Sequence, residues 1–117
     1  MHGTILVYGN DEMLAATRRM IFVQAGHTVF TADSLSNAAL VLMNHQIDVL
    51  ILCQTLSGQE RHAVLETAHT LQPKIKCAAF SFDGHDVLRD GVYIHRPLIG
   101  PPALLAAIGQ MLQEKTA

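Results

Sequence analysis

The sequence predicts an α/β fold, a single domain with a doubly wound parallel sheet and helices on both faces. Short β-rich apolar runs alternate with segments of helical periodicity along the whole chain. Strands that alternate with helices pair in parallel through right-handed crossovers. The run DVLILC (48–53) is apolar throughout, which is typical of a strand covered on both faces. The 117 residues fit one domain, which we place at 1–117.

Five segments have the length and composition of strands, and polar or glycine-containing segments bound them. They are TILVY (4–8), HTVFTA (27–32), DVLILC (48–53), KCAAFSF (76–82) and VYIHR (92–96). In an open sheet of this kind, sites lie at the carboxyl ends of the strands. Functional residues are therefore expected just after each run.

Helical periodicity fills the intervals between the strands. The first helix is predicted from Glu12 to Ala25, with Asp11 as N-cap, Gly26 as its stop, and one apolar face formed by Leu14, Ile21, Phe22 and Ala25. The second is capped by Asp33 or Ser34 and ends near His45, and the third spans about 59–71 before Pro73. Residues 83–91 have room for only one or two turns, and Pro101-Pro102 opens a last helix.

Composition excludes several classes of function. The formal net charge is −2, and the only adjacent basic pair is Arg18–Arg19. That distribution predicts neither a nucleic-acid surface nor a basic membrane-binding helix. No apolar stretch approaches the roughly 20 residues that span a bilayer, and the first residues show no secretory signal. We therefore predict a cytoplasmic location.

Four stretches, in this order, resemble the receiver domains of two-component response regulators. They are ILVYGND, QAGHTVFTADSLSNAALVLM, IDVLILCQTLSG and YIHRPL, and the resemblance runs from Thr4 to about Gln113. It implies a flavodoxin-like, chemotaxis-type fold with strand order 2-1-3-4-5. The interval between Ser81 and Arg96 is shorter than receivers use, which implies a shortened fourth helix.

The resemblance also implies a phosphorylation pocket. In the family, an acidic pair after the first strand holds Mg²⁺, and an aspartate ending the third strand accepts the phosphoryl group. A Ser or Thr after the fourth strand and a Lys before a proline after the fifth contact the phosphate. Residue by residue, the acidic pair becomes Gly9 and Asn10, and the acceptor becomes Cys53. The hydroxyl is kept as Ser81, and the lysine becomes Arg96, followed by Pro97.

All three carboxylate positions are thus replaced, although Asp11 would restore one acid if the pairing slipped by one residue. Mg²⁺ is held in proteins mainly through carboxylates and water, so we expect weak or absent Mg²⁺ binding and no cofactor. A thiol cannot form the acyl phosphate. The prediction is a degenerate, non-enzymatic receiver that acts as a phosphorylation-independent interaction module. Its predicted partners are a sensor kinase, an output domain or a second copy, as a homodimer.

Two other functions fit the same residues. Cys53 is a candidate redox- or electrophile-sensing thiol, if Arg96 lies close enough to lower its pKa. Ser81 and Arg96 are candidates for holding a small anion. We expect Cys53 and Cys77 to remain free thiols, because they belong near opposite ends of their strands.

Two further patterns have structural explanations. His62 and His69 share a helix face but stand about 10 Å apart, too far for one metal ion. In the last helix we assign Leu104, Leu105, Ile108 and Leu112 to the core, and Ala106, Ala107 and Met111 to an exposed extension that could form an interface.

Overall fold

The computed structural model describes residues 3–53, 57–80, 92–95 and 101–116. Strands and helices alternate along these residues as the sequence predicts. The strands are β1 (Thr4–Tyr8), β2 (Thr28–Ala32), β3 (Val49–Leu52), β4 (Lys76–Phe80) and β5 (Val92–His95), and the helices are α1 (Glu12–Gln24), α2 (Leu35–Asn44), α3 (Gly58–Leu71) and α4 (Pro101–Thr116).

All strand pairs are parallel, and the strand order is β2-β1-β3-β4-β5. The predicted doubly wound fold and its strand order are therefore confirmed. In register, Tyr8 of β1 lies between Ala32 of β2 and Leu52 of β3. This register brings the carboxyl ends of β1 and β3 side by side at the centre of the sheet. The shortened fourth helix was predicted for residues that lie outside the described ranges.

Each face of the sheet carries its own core, because side chains alternate along the strands. On one face, Leu6, Tyr8 and Leu50 join a cluster with buried residues of α2 and α3. On the other, Ile5 and Val7 pack with residues of α1 and α4. The sheet is thus covered on both sides, as the apolar run in β3 predicts.

Local signals set the helix boundaries. The side chain of Asp11 accepts hydrogen bonds from the backbone N–H groups of Met13 and Leu14, and Ser34 caps α2 through Asn37. Ser57 and Glu60 form a reciprocal capping box at α3. Gly26 has φ 97°, a conformation that favours glycine, and ends α1.

The amino end of the sheet is held by side-chain hydrogen bonds to backbone. The Nε2 of Gln72 donates to the carbonyls of Leu42 (2.8 Å) and His45 (2.7 Å), and its Oε1 accepts from the N–H of Ile47 (2.8 Å). The Oδ2 of Asp48 accepts from the N–H of Thr4 at 2.9 Å. These bonds satisfy backbone groups that helix and strand ends leave unpaired.

Two predicted helix faces are wrong. Met111 was expected to be exposed, but only 3% of it is accessible, because it packs into the core with Ile108 and Leu112. In α1 the predicted face of Leu14, Ile21, Phe22 and Ala25 is wrong in part. Phe22 is buried as predicted, together with Ala15 and Arg18, whereas the other three are only partly buried.

Candidate functional site

Gly9 and Cys53 lie next to each other at the carboxyl ends of the two central strands. The N–H of Gly9 donates to the carbonyl of Ala32 (3.1 Å), and the N–H of Cys53 donates to the carbonyl of Tyr8 (3.1 Å). Each therefore continues the ladder of its strand by one residue. The structure brings together two of the positions at which the resemblance placed the phosphorylation chemistry.

The side chain of Cys53 occupies the space next to the backbone of Gly9. A Cβ built on Gly9 would lie 2.6 Å from Sγ and 2.8 Å from Cβ of Cys53. Real Cβ atoms do not approach other atoms so closely, so a side chain at position 9 requires Cys53 to move. Gly9 is thus required for close approach to Cys53, and this position has no space for a larger side chain unless Cys53 moves.

A buried arginine completes the site. Nη1 of Arg18, from the inward face of α1, donates to Sγ of Cys53 at 2.9 Å. Arg18 is 8% exposed and Cys53 is 0% exposed. A guanidinium stays protonated in proteins, so this contact places a permanent positive charge inside the pocket.

The thiol at this site has a raised pKa. Burial raises the pKa of Cys53 above its ordinary value, and the charge and hydrogen bond of Arg18 only partly oppose that rise. The charge of Asp11 raises the pKa further. The lowered thiol pKa on which the sensor hypothesis depends is therefore not found.

Asn10 and Asp11 have different surroundings. Asn10 is exposed. Oδ1 of Asp11 accepts hydrogen bonds from the N–H groups of Met13 (3.0 Å) and Leu14 (3.1 Å), so this oxygen serves the N-terminus of α1. The predicted N-cap is confirmed, and it accounts for an acid one residue beyond the family's pair.

Acidic residues near this end of the sheet also raise the pKa of a tyrosine on the opposite face. Burial, together with the charges of Glu60 and Asp33, raises the pKa of Tyr8. Tyr8 points into the core on the side of α2 and α3, whereas Cys53 points to the side of α1 and α4. Asp33 itself accepts a hydrogen bond from Asn37 at 2.8 Å.

Ser81, Arg96 and Pro97 lie outside the described residues. Their predicted positions at the pocket stay predictions, and so does the small-anion site between Ser81 and Arg96. The cation that the structure does place beside Cys53 is Arg18.

Sequence reasoning missed Arg18. It treated Arg18–Arg19 as an adjacent basic pair, although the two side chains point in different directions, with Arg18 buried and Arg19 exposed. One signal was available, because Ala15, Arg18 and Phe22 follow the spacing of a single helix face. An arginine between two core positions is a candidate for a buried cation.

The remaining metal and thiol candidates are also placed. Within residues 3–53, 57–80, 92–95 and 101–116, no group of three or more His, Cys, Asp or Glu residues could hold a metal ion. His62 lies 3.6 Å from Glu66 in an exposed i,i+4 pair. Cys53 and Cys77 are both buried free thiols, as predicted, and they belong to the cores on opposite faces of the sheet.

The clefts do not coincide with the Arg18–Cys53 contact. One of about 500 Å³ lies at the amino end of the sheet, beside Gln72 and Ile47. Another, of about 360 Å³, is lined by Gly9, Glu12, Arg19 and neighbouring residues between α1 and α2. The larger of these two clefts lies at the edge of the sheet opposite to the strands' carboxyl ends, away from Cys53.

Proteins similar to this chain are found among solved structures. No protein-family model and no curated protein sequence matches the chain. Among solved structures, it is similar to a CheY-like response regulator receiver domain protein from Methanospirillum hungatei JF-1, with 21% identity and a TM-score of 0.79 over 99% of this chain and 98% of that one. It is also similar to a receiver domain protein from Clostridium thermocellum, with 18% identity and a TM-score of 0.82 over 97% of both chains.

NtrX from Brucella abortus, solved with ADP, gives a TM-score of 0.87 at 18% identity. That match covers 99% of this chain but 28% of the NtrX chain. None of the described helices has the length and apolar character needed to cross a membrane. From its topology and these structural matches, the chain has the fold of the CheY-like response-regulator receiver domains.

Proposed function

We propose that the chain is an atypical receiver domain of two-component signalling that acts by binding proteins, without phosphorylation control and without enzymatic activity. Its partner would be a sensor kinase, an output domain or another copy of itself, in the cytoplasm. In NtrX the matching region is 28% of the chain, so the same fold occurs there within a longer protein. That precedent supports an output domain as one class of partner.

The observation that carries the proposal is the 2.9 Å contact between Arg18 and Cys53. A receiver pocket needs anionic oxygens to hold a divalent cation. This pocket contains a buried cation instead, and like charges repel strongly where water is excluded. Arg18 therefore opposes Mg²⁺ binding in addition to the loss of the family's acidic pair.

The acceptor position supports the same conclusion. An aspartyl phosphate requires a carboxylate, and position 53 carries a thiol with a raised pKa and no exposed surface. Sγ of Cys53 is buried and already accepts a hydrogen bond from Arg18, which fits a module that acts by binding.

Labelling with radioactive acetyl phosphate, with and without Mg²⁺, tests the proposal. We expect no Mg²⁺-dependent incorporation into the wild-type chain. Incorporation that depends on Mg²⁺ would refute phosphorylation independence.

The variant Cys53→Asp makes the experiment sharper, because it restores only the acceptor. We expect it to stay unlabelled, since Gly9 and Asn10 supply no carboxylate and Arg18 would pair with the new aspartate. Labelling of Cys53→Asp would show that the rest of the pocket is competent, and that the exchange at position 53 alone abolishes phosphorylation.

The thiol-sensor alternative has one observation in its favour, the hydrogen bond from Arg18, since a cation stabilises a thiolate. Complete burial of Cys53 and its raised pKa oppose it. Alkylation of the native protein with iodoacetamide at pH 7 separates the two functions. We expect slow reaction in the wild type and in Cys77→Ala. Fast modification that is lost only in Cys53→Ala would instead support the sensor.

A further inference from the structure

Three large apolar side chains are exposed on α1, on a face that also carries the polar Thr17 and Gln24. Met13 is 81% exposed, Met20 is 57% exposed and Val23 is 45% exposed. Ala16, also exposed, lies between the two methionines. Large exposed apolar side chains that share one helix face mark an interaction surface more often than isolated ones do.

The spacing makes this face continuous. Met13, Ala16 and Met20 follow the i, i+3, i+7 pattern of one helix face, opposite to the buried Ala15, Arg18 and Phe22. Met13 and Met20 stand two turns, or about 10 Å, apart along the axis. The small side chain of Ala16 between them leaves room for a second helix to approach closely.

Opposite charges lie along one flank of the same face. Glu12 and Arg19 are exposed and seven residues apart, so they also stand two turns apart, on the same side of the helix. Within the described part of the chain, neither forms an ion pair. These two charges are therefore available to another molecule.

This arrangement is self-complementary under a two-fold axis. When two copies of α1 pack antiparallel across such an axis, the same flank of each helix faces the other. Glu12 of one copy then meets the partner's Arg19, and its own Arg19 meets the partner's Glu12. The axis passes close to Ala16, and the methionines of the two helices interdigitate on either side.

We propose that the chain self-associates through this face as an antiparallel, two-fold α1–α1 pair. The charge pattern selects a second copy over an unrelated partner, because a single sequence satisfies both ion pairs at once. Since α1 spans 13 residues, the contact is small and the dimer weak. The proposal specifies the surface for one partner named in the proposed function, a second copy of the chain. Its failure is distinguishable from a failure of phosphorylation independence, because phosphoryl labelling and self-association are measured separately.

Charge-reversal variants provide the test, by sedimentation equilibrium over a range of protein concentrations. Glu12→Arg places two positive charges on the flank, and Arg19→Glu places two negative charges there. Each variant alone should self-associate about tenfold or more weakly than the wild type, because both ion pairs become repulsive. A one-to-one mixture of the two variants should restore association, because each charge then meets its opposite.

The mixture also controls for folding, since damaged chains would not regain affinity when combined. Met20→Asp, which breaks the apolar centre, should weaken association in the wild-type background. If the wild type is monomeric at every concentration, or the mixture associates no better than each variant alone, the proposal is wrong.

Crosslinking gives a second readout. Because Cys53 and Cys77 are buried, the added thiol in Ala16→Cys is the accessible one among the described cysteines. Near the two-fold axis it should form a disulfide-linked dimer under mild oxidation. Leu40→Cys, on an exposed position of α2, is the matched control and should crosslink far less. Equal crosslinking of the two variants would contradict the α1–α1 geometry.

Discussion

Cys53 and Cys77 are equally inaccessible, each 0% exposed, but their surroundings differ. Cys53 lies at the carboxyl end of β3, where it accepts a hydrogen bond from Arg18. Cys77 lies within β4 on the other face of the sheet, and His69 Nε2 is 4.0 Å from its Sγ. Burial raises the pKa of both thiols, and for Cys77 the rise reaches about 12. Two equally buried thiols therefore have different polar neighbours, because Cys53 contacts a charged guanidinium and Cys77 lies 4.0 Å from an imidazole.

The largest expected effect comes from alkaline pH. Burial raises the pKa of Cys77 from 9.0 to about 12, so the folded protein keeps a proton that the unfolded chain releases. Its contribution to stability is complete below about pH 9 and is lost as the pH rises toward 12. At about 1.4 kcal/mol per pKa unit, the loss approaches about 4 kcal/mol. Urea unfolding at several pH values would measure it.

In Cys77→Ala, that part of the pH dependence should disappear, while Cys53→Ala should retain it. If the wild type and Cys77→Ala lost stability equally between pH 9 and 12, the thiol of Cys77 would not be the group responsible.

A smaller effect is expected for Gly9→Ala, which tests the close approach to Cys53. The new Cβ would lie 2.6 Å from Sγ, and overpacking of this kind costs about 1–3 kcal/mol. Gly58→Ala is the matched control, because nothing lies within 4 Å of a Cβ there, and its free energy of unfolding should stay the same or rise. The double variant Gly9→Ala/Cys53→Ala should lose less stability than the sum of the two single losses, since the second change removes the sulfur.

The alanine and serine variants should differ in stability in opposite directions at the two cysteines. At position 53, alanine removes an acceptor of the buried Arg18, whereas serine keeps one, so Cys53→Ala should cost about 1–2 kcal/mol more than Cys53→Ser. At position 77 the described polar neighbour is His69 Nε2, 4.0 Å from Sγ, which is too far for a serine hydroxyl to hydrogen-bond, so Cys77→Ser should be the less stable variant there. The same order at both positions would mean that the Arg18 contact does not affect stability.

The smallest effect concerns Asp11. Asp11→Ala removes the cap of α1 and should cost about 1 kcal/mol, whereas Asp11→Asn retains the capping oxygen and should be nearly neutral. Thermal unfolding of both variants would show the difference. A large loss in Asp11→Asn would instead indicate that the negative charge itself is needed at the pocket.

The sequence predicted the strands and helix ends well where local signals are strong. The apolar run of β3, the Asp11 cap and the turn at Gly26 each depend on a few neighbouring residues, and all three are confirmed. Helix faces were less predictable. The exposure of Met111 was predicted wrongly and the burial of Arg18 was missed, because burial depends on which side of the helix meets the sheet rather than on the polarity of the residue.

The sequence by itself determined the alternation of strands and helices, and which residues follow the strands. Only the tertiary structure decided which side chains surround Cys53. Gly9, Arg18 and Cys53 come from three different elements, and they meet because parallel pairing aligns the ends of β1 and β3 beneath α1. Residue identity is local information, whereas a 2.9 Å contact across 35 positions exists only after the chain has folded.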